Sequence, residues 1–506
     1  MGPLQPIWTL EEARAADQKV QDEGVPGTAL LAVAGFQLAR YADAIAPSGP
    51  LVILTGPGSN GGDGWVAARH LARTRKVTVI PVMEPHFAQA SEWVRAARAA
   101  AVAVEQGDAA KTRLTEASLV VDAMFGTGFH GSVQSSPAGP WINFLADAGV
   151  PVLAADMPSG INTDTGAYDG PRLNVQATLT MGAAKWGLVG YPGADLIGTL
   201  CVAEIGLGHE ASSGAWIDPA WAYDHFPQSG RLDHKYRRGH VVVVGGSRAM
   251  PGAPILAATA ALRGGAGLVE LVVPKAVADS AVPRSPALIV HPVDQTERGD
   301  LVWSDALRAR VERADAVVFG PGLGQSVDPA VIGELIRLHK PTVVDADGIR
   351  LTKVWDRPLP SNWVLTPHAG ELGLLLNMKP DEVNADRRTA VTSAAKQWGC
   401  PVLLKGRFSL IADGSRPVWV NPTGNQSLAT AGSGDVLSGL VARLLAGGLS
   451  GQEALALGAY WHGWAGDLGG NAQGVSFTAE DLCGWLGSAA QAILERRVPQ
   501  TVTYWR

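Results

Sequence analysis

The sequence predicts an α/β protein with two domains, each a parallel sheet between layers of helices. Its 506 residues are too many for one ordinary core. Short runs rich in Val, Ile and Leu alternate with helix-like stretches, which is typical of parallel strands covered on both faces. This alternation occurs in two series, and it lapses from about Gly206 to Arg238. We therefore expect a domain at 1–208, a linker at 209–228 and a second domain at 229–506.

The first series alternates strands and helices along the chain. Each strand is a short apolar run, and each helix repeats apolar residues at three- and four-residue steps. The predicted strands are PLVILTG, KVTVIPV, LVVDAMFG and PVLAADMPSG, and the predicted helices are WVAARHLARTR and SEWVRAARAAA. This order predicts a Rossmann-like, three-layer αβα domain.

The second series has the same alternation without repeating the first. Its predicted strands are HVVVVGGS, LVELVVP, AVVFGPG, PTVVDADG and PVLLKG, followed by a hairpin in FSLIADGSRPVWVN. Its predicted helices are ILAATAALRGGAG, GDVLSGLVARLLAGG, EALALGAYWHGWAGDL and AEDLCGWLGSAAQAILERR. A second αβα domain follows from this order.

Composition and charge favour a cytoplasmic protein that acts on small molecules. A net charge of -6 offers no basic face for nucleic acid. The three cysteines, Cys201, Cys400 and Cys483, form no C-x-x-C pair, which suits a reducing compartment. The sequence shows no signal peptide, no run of 18 apolar residues and no H-x-x-x-H pair. We therefore expect neither a membrane span nor a transition-metal site.

Polar residues follow three strands of the first series. The segment TGPGSNGGDGW, residues 55–65, lies between a strand and a helix, and it carries Asn60 and Asp63 among five glycines. Its backbone N–H groups could approach a phosphate, or it is a plain strand-to-helix turn. Asp122, Asp156 and Ser159 end two further strands. Either these side chains converge on one crevice and hold a hard, monovalent cation, or the two acids merely cap turns.

Asp435 raises a similar question in the second series. It lies in SLATAGSGDVLSG, where a glycine-rich turn opens an apolar helix. The N-terminus of a helix attracts anions such as phosphate, so an acid there is either a cap or a base. His368 in TPHAGE is either a structural side chain or a substrate contact beside Glu371.

The motifs GPGSNGGDG, DAMFGTGFHG, DMPSGINTDTG and GAAKWGL resemble those of NAD(P)H-hydrate epimerases of the YjeF N-terminal type, over about residues 5–208. The resemblance implies epimerisation at C6 of the hydrated nicotinamide ring, K⁺ held by Asn60, Asp122 and Ser159, and proton transfer by Asp156. The substrate-binding residues that it implies are Asn60, Gly61, Gly62, Asp63, Gly64, Gly126, Thr127, Gly128, Phe129, His130, Gly131, Ser132 and Asp156. The chain departs from the family at Ala32 and Val33, which replace a polar pair.

The second half resembles the ADP- or ATP-dependent NAD(P)H-hydrate dehydratases, which are ribokinase-like, over about residues 229–497. The motifs are GGSRAMPGAPILAATAALRGGAGLVELVVP, FGPGLG, VVDADGI, LTPHAGELGLLL, LLKG and TAGSGDVLSG. The resemblance implies hydrate contacts at Ala253, Gly322, His368 and Asp435, with Asp435 as the catalytic base. It implies nucleotide contacts at Lys405, Gly406, Arg407, Phe408, Ser409 and Gly434, and Mg²⁺ bound with ADP. Ser427 and Leu428 depart from the family at a position near the adenine.

Together the two resemblances imply repair of hydrated nicotinamide cofactors. The R and S forms of NADHX and NADPHX would be interconverted, and the S form dehydrated at the expense of ADP, giving AMP and phosphate. The family also implies a homo-oligomer, a tetramer or higher. Two alternatives stay open: a ribokinase-like, vitamin-type kinase fused to a non-catalytic binding domain, and a binding protein without catalysis.

Overall fold

A computed structural model describes residues 4–87, 89–208, 212–228, 230, 235–281, 285–324, 326–415, 417–498 and 502–505. The chain divides into two compact units. The N-terminal unit comprises residues 5–214 together with 501–506, and the C-terminal unit comprises 215–500 together with 1–4.

The N-terminal unit alternates strands and helices. Its strands are β1 (Gln5–Trp8), β2 (Leu51–Thr55), β3 (Val77–Pro81), β4 (Ala103–Val104), β5 (Leu119–Ala123), β6 (Val152–Ala155), β7 (Val175–Met181), β8 (Ala184–Lys185), β9 (Thr199–Ala203) and the C-terminal strand Thr503–Trp505. Its helices are α1 (Leu10–Asp22), α2 (Gly27–Ile45), α3 (Ser59–Leu71), α4 (Ala90–Ala99), α5 (Asp108–Glu116) and α6 (Gly139–Ala148), with 3-10 turns at Trp186–Leu188 and Gly193–Asp195.

The main sheet of this unit is parallel and is covered on both faces. From the strand Thr503–Trp505 it runs through β9, β7, β6, β5, β2 and β3 to β4. Successive residues of a strand enter different cores: Ile53 packs in a cluster with α2 and α3, whereas Val52 and Leu54 pack in another with α5 and α6. This alternation confirms the three-layer αβα prediction.

The C-terminal unit has the same construction with more helices. Its strands are β10 (Gly214–Trp216), β11 (His240–Val244), β12 (Leu268–Pro274), β13 (Ile289–Val293), β14 (Ala316–Phe319), β15 (Thr342–Val344), β16 (Trp363–Leu365), β17 (Val402–Leu404), β18 (Ser409–Ala412) and β19 (Val418–Asn421). Its helices are α7 (Pro219–His225), α8 (Gly252–Arg263), α9 (Lys275–Ala281), α10 (Asp305–Val311), α11 (Ala330–Arg337), α12 (Asp347–Trp355), α13 (Ala369–Leu376), α14 (Pro380–Ala385), α15 (Arg387–Trp398), α16 (Ser433–Ala446), α17 (Gly451–Gln473) and α18 (Ala479–Leu494). Short 3-10 turns lie at Lys235–Arg238, Gln426–Leu428 and Gly474–Ser476.

The sheet of this unit runs in the order β13, β12, β11, β14, β15, β16, β17, β18, β19, β10. Neighbouring strands are parallel from β13 to β17. The predicted hairpin is confirmed, since β18 pairs antiparallel with both β17 and β19. A large core joins alternate residues of β11 and β12 to α8, α16, α17 and α18.

The predicted boundaries differ from the observed ones in two places. The stretch 209–228 contains β10 and α7, and the division between the units falls between Gly214 and Ala215. The strand Thr503–Trp505 belongs to the N-terminal unit because it pairs with β9. Such pairing between distant parts of a chain leaves no periodic signal in the sequence.

The cysteines and helices add two plain facts. Cys201, Cys400 and Cys483 are free, buried thiols. In the described parts of the chain, no helix is long and apolar enough to cross a bilayer.

Candidate active sites

The first candidate site lies where three neighbouring strands end. β2 pairs with β5, and β5 with β6, in parallel, so their carboxyl ends share the edge at which open α/β sheets bind ligands. A methyl group built on Gly126 would lie 3.2 Å from Cγ of Asn60 and 3.2 Å from Oδ2 of Asp156. The structure therefore brings Asn60, Gly126 and Asp156 together.

Asp122 and Ser159 form a buried, hydrogen-bonded pair at the same edge. Oδ1 of Asp122 accepts from the Ser159 hydroxyl at 2.6 Å, and Oδ2 accepts from the Ser159 N–H at 2.8 Å. Burial raises the pKa of Asp122, although its hydrogen bonds to Ser159 and Met124 oppose the rise. A cation near this carboxylate would replace the solvation that burial removes.

The side-chain amide of Asn60 would supply an oxygen ligand if such a cation were bound. Both its Oδ1 and its Nδ2 are buried, and within the described ranges neither has a hydrogen-bond partner. Buried amides are ordinarily hydrogen bonded, so an unpaired one suggests a missing ligand. An amide oxygen, a hydroxyl and one carboxylate together suit a hard cation of low charge, and K⁺ fits this donor set.

The glycines beside Asn60 have a packing role that the sequence analysis did not predict. The helix expected to begin at Trp65 begins at Ser59, so Asn60–Gly64 lie in α3. A methyl group on Gly61 would lie 2.0 Å from the Gly56 carbonyl oxygen, and one on Gly62 would lie 2.8 Å from Cδ1 of Leu31. The N–H of Gly62 already donates to the carbonyl of Gly58 at 3.1 Å. These glycines permit close packing, and contact between the first N–H groups of α3 and a phosphate stays a prediction.

The loop after β5 borders this crevice. The Thr163 hydroxyl donates to the carbonyl of Thr127 at 2.9 Å, and the rings of Phe125 and Phe129 stack with centroids 4.8 Å apart. The remaining predicted loop residues are partly or fully exposed: Gly126, Gly128, His130, Gly131 and Ser132. These residues are therefore accessible from solvent.

The sequence analysis missed Lys185, although it quoted the motif GAAKWGL that contains it. The Lys185 side chain is 3% exposed, and its Nζ lies 2.5 Å from Oδ1 of Asp156. A lysine inside an apolar motif was the available signal, but its partner is 29 residues away in sequence.

The second candidate site surrounds Asp435 in the first turn of α16. No side chain among the described residues caps this helix, and Gly432 before it has a φ of 91°. Asp435 therefore does not act as the cap that the sequence analysis left open. A methyl group on Gly434 would lie 3.2 Å from Nζ of Lys405, so the glycine leaves space between the helix start and that ammonium group. The first N–H groups of a helix lack intrahelical partners and can bind an anion.

Carboxylates and one ammonium group share this space. Nζ of Lys405 lies 3.0 Å from Oδ1 of Asp345 and 3.7 Å from Oε2 of Glu371. Burial opposes the charge of Lys405, yet Asp345 and Glu371 outweigh it and raise its pKa. Burial, followed by the charge of Asp345, raises the pKa of Asp435 to about 7. A carboxyl group with such a pKa is suited to act as a base near neutral pH.

The acidic side chains of this site fit one mode of Mg²⁺ binding. In the described residues, no group of three or more His, Cys, Asp or Glu side chains is arranged to hold a metal ion. Mg²⁺ ordinarily binds one or two carboxylates together with substrate phosphates and water. Asp345 and Glu371, beside an anion-binding helix start, fit that mode.

His368 has a structural role and an exposed edge. Its Nδ1 accepts from the N–H of Gly370 at 3.0 Å and of Glu371 at 3.3 Å, which caps α13. An accepting Nδ1 places the proton of the neutral ring on Nε2. Because 60% of the side chain is exposed, substrate contact through Nε2 stays a prediction.

The remaining predicted contacts fall into two groups. Ala253 and Gly322 are neighbours, since a methyl group on Gly322 would lie 3.2 Å from Cβ of Ala253. The segment 405–409 is held by Arg387, which donates to the carbonyls of Arg407 at 2.8 Å and Lys405 at 3.2 Å. Arg387 is a positioning residue that the sequence analysis missed.

Phe408, Ser427 and Leu428 pack inside the C-terminal unit. The Phe408 ring is buried edge-on against Trp216, with centroids 5.3 Å apart, and its contact with nucleotide stays a prediction. Leu428 packs on Gly466 of α17, and Oγ of Ser427 would lie 2.5 Å from a methyl group on Gly470. In the other unit, Ala32 is half-buried and Val33 is exposed on α2.

Comparisons with known proteins agree with this division. The family described as "YjeF-related protein N-terminus" matches residues 27–187, and the family described as "NAD(P)H-hydrate dehydratase" matches residues 241–486. The curated "Bifunctional NAD(P)H-hydrate repair enzyme Nnr" of Moorella thermoacetica is 36% identical over 91% of this chain and 92% of its own length. The protein of the same name from Gloeobacter violaceus is 36% identical over 88% of this chain and 89% of its own.

A solved structure aligns with about half of this chain. The ADP/ATP-dependent NAD(P)H-hydrate dehydratase from Bacillus subtilis, co-crystallised with ATP/Mg²⁺, aligns with 54% of this chain and 97% of its own length, at 24% identity and a TM-score of 0.47.

Fold and sites together define a two-unit α/β enzyme. One unit has a crevice at its strand ends, and the other has a site at the start of a helix. The chain belongs to the family of bifunctional NAD(P)H-hydrate repair enzymes.

Proposed function

We propose that this chain repairs hydrated NADH and NADPH, NADHX and NADPHX, by epimerising them in the N-terminal unit and dehydrating the S form in the C-terminal unit with ADP. The observation that carries the proposal is Asp435, whose pKa is raised to about 7 beside Lys405 at the start of α16. A base at an anion-binding helix start is the arrangement that phosphoryl transfer to a hydroxyl requires.

Dehydration begins with proton removal by Asp435. As the C6 hydroxyl of the hydrate loses its proton to this carboxylate, its oxygen attacks the β-phosphorus of ADP, and the bond to the oxygen of AMP breaks. Phosphate then leaves C6 while a proton passes from C5 to water, which forms the C5–C6 double bond of NADH. The helix N–H groups and Lys405 stabilise charge on the transferred phosphoryl group. Mg²⁺, when bound, neutralises phosphate charge in the same space.

In the N-terminal unit, Asp156 and the cation ligands have different roles in epimerisation. Inversion at C6 requires a ring bond or the C–O bond to open and re-form, with one proton removed and one delivered. Oδ2 of Asp156 faces the crevice beside Asn60, so we assign this proton transfer to Asp156. Asn60, Asp122 and Ser159 would hold K⁺, which orders the crevice.

A single assay tests the function against the kinase alternative. An equal mixture of R- and S-NADHX is incubated with the protein, ADP and Mg²⁺, and NADH absorbance is followed. A repair enzyme restores absorbance and forms AMP and phosphate, whereas a kinase of small molecules restores none and accumulates a stable phosphorylated product. Replacing ADP by ATP in parallel decides the nucleotide preference.

We expect a pH profile for dehydration that rises through neutrality. Because burial raises the pKa of Asp435 to about 7, the base is protonated and inactive in acid and ionised above that value. kcat/KM should therefore fall about tenfold per pH unit below roughly pH 7 and level off above it. An acid limb near the ordinary aspartate value would contradict the assignment.

We expect Asp122→Asn to weaken K⁺ activation of the epimerase. The substitution keeps the size of the side chain but removes the one formal charge among the proposed ligands, so half-saturation by K⁺ should rise by about tenfold or more. The measurement is epimer exchange against KCl concentration. Asp147→Asn, an exposed change on α6, is the matched control, and equal K⁺ curves for all three proteins would exclude the site.

We also propose self-association into a tetramer or larger assembly in a cytoplasmic setting. Val33 and Phe36 are exposed on α2, with 40% and 44% of each residue accessible, and exposed apolar side chains of this kind suit a buried contact. Light scattering during size-exclusion chromatography measures the assembly directly.

A further inference from the structure

Asp156 has an unusual backbone conformation directly after β6. Its φ is 65°, in the left-handed region, which costs a residue with a Cβ atom about 1 kcal/mol or more. Its N–H donates to the carbonyl of Leu179 at 2.8 Å, so β7 holds this conformation in place. Strain of this kind is concentrated at functional positions.

The two carboxylate oxygens of Asp156 have different surroundings. Oδ1 accepts from Nζ of Lys185 at 2.5 Å, from the N–H of Met181 at 3.1 Å and from the Thr180 hydroxyl at 3.2 Å. Oδ2 faces the crevice, 3.2 Å from the position of a methyl group on Gly126. One oxygen is therefore anchored inside the protein, and the other is directed to where a ligand would lie.

Lys185 is the charged part of this anchor. Its side chain is 3% exposed, and besides Asp156 its Nζ contacts Oγ1 of Thr180 at 3.0 Å and the carbonyl of Met181 at 2.8 Å. An ammonium group has three protons, so these three acceptors use all of them. Lys185 accordingly has no proton left for a substrate, and its role is exerted through Asp156.

We propose that Lys185 is a positioning residue for epimerisation: it fixes Oδ1 of Asp156 so that Oδ2 faces the crevice beside Asn60 and Gly126. This inference rests on the proposed epimerase function, because it concerns the orientation of the group to which proton transfer is assigned.

Asp63, a buried residue of α3, interacts electrostatically with the same ion pair. Burial raises the pKa of Asp63 well above its ordinary value, the charge of Asp156 adds to the rise, and Lys185 opposes it. The Lys185–Asp156 ion pair therefore acts on Asp63 as well.

The test is a double-mutant cycle on the full chain. Lys185→Met should lower kcat of epimer exchange by at least about 100-fold, since it misplaces the proton-transfer group, while KM for the hydrate changes little. In the Asp156→Asn background the same substitution should change the residual rate by no more than about twofold, because the two residues act as one unit. Lys76→Met, an exposed change in the same unit, is the control.

A second variant covers the case in which Lys185→Met does not fold. Thr180→Val removes one donor from Oδ1 and one acceptor from Nζ of Lys185 but keeps the Lys185–Asp156 ion pair, and it should lower kcat about tenfold. Unchanged kcat in Thr180→Val or in Lys185→Met overturns the inference, as does an equal loss in both backgrounds of the cycle. If the unaltered chain exchanges no epimers, the proposed function itself fails and the inference fails with it. An active unaltered chain with an active Lys185→Met variant refutes the positioning role alone.

Discussion

Asp435→Asn should abolish nearly all ADP-driven recovery of NADH while epimer exchange stays normal. The amide keeps the size of the side chain and can still hydrogen-bond near the start of α16, but it cannot take a proton from the C6 hydroxyl. Loss of a general base costs on the order of a hundredfold to ten-thousandfold in rate. Absorbance assays with S-NADHX and ADP give the dehydration rate, and chiral separation of the epimers gives the exchange rate on the same preparation.

Stability supplies an independent readout for this variant. The pKa of Asp435 is raised to about 7, first by burial, so the folded state binds its proton more tightly than the unfolded chain does. The carboxyl group then destabilises the fold as pH rises from about 4 to about 7. Asp435→Asn removes this penalty, and above pH 7 its Tm should exceed that of the unaltered chain by an amount equivalent to up to about 4 kcal/mol.

Two outcomes would count against the assignment of Asp435. Dehydration at the normal rate in Asp435→Asn shows that the acid is not the base. Simultaneous loss of epimer exchange shows that the sites are not independent. Asp381→Asn, at an exposed position of α14, should change neither activity nor the melting curve.

Strand ends were predictable from the sequence because parallel strands are continuous apolar runs. The runs that became β2, β5 and β6 placed Asn60, Asp122 and Asp156 correctly at one sheet edge. The start of α3 was not predictable from propensity, since glycine disfavours helices. Packing decides there: Gly61 must lie against the Gly56 carbonyl, and only glycine permits that approach.

Two further errors have different causes. The helix α7 lies in the predicted linker, yet its signal was present, because Asp218 caps it by accepting from the N–H of Trp221 and Pro219 opens it. For Lys185 the local signal was a lysine inside an apolar motif, which does not identify its partner. Its importance comes from its contact with Asp156, and a contact between distant segments requires the folded structure.

Asp156→Asn should have the largest effect on the other activity. The amide oxygen can still accept from Lys185, but the group that faces the crevice is then an amide and cannot exchange a proton. We expect epimer exchange to fall on the order of a hundredfold to ten-thousandfold. With pure S-NADHX and ADP, recovery of NADH should proceed at the normal rate, because Asp435 and its surroundings are unaltered.

An equal mixture of the two epimers shows the consequence of Asp156→Asn in a single time course of NADH absorbance. The unaltered chain should convert both epimers, since exchange refills the S form as dehydration consumes it. In Asp156→Asn, absorbance should rise and then stop when the S form is exhausted, and later addition of unaltered protein should complete the conversion. Asp147→Asn should follow the unaltered trace. If the Asp156→Asn variant instead converts both epimers completely at the normal rate, another group transfers the proton. Asp63, whose pKa burial raises well above its ordinary value, is then the residue to alter next.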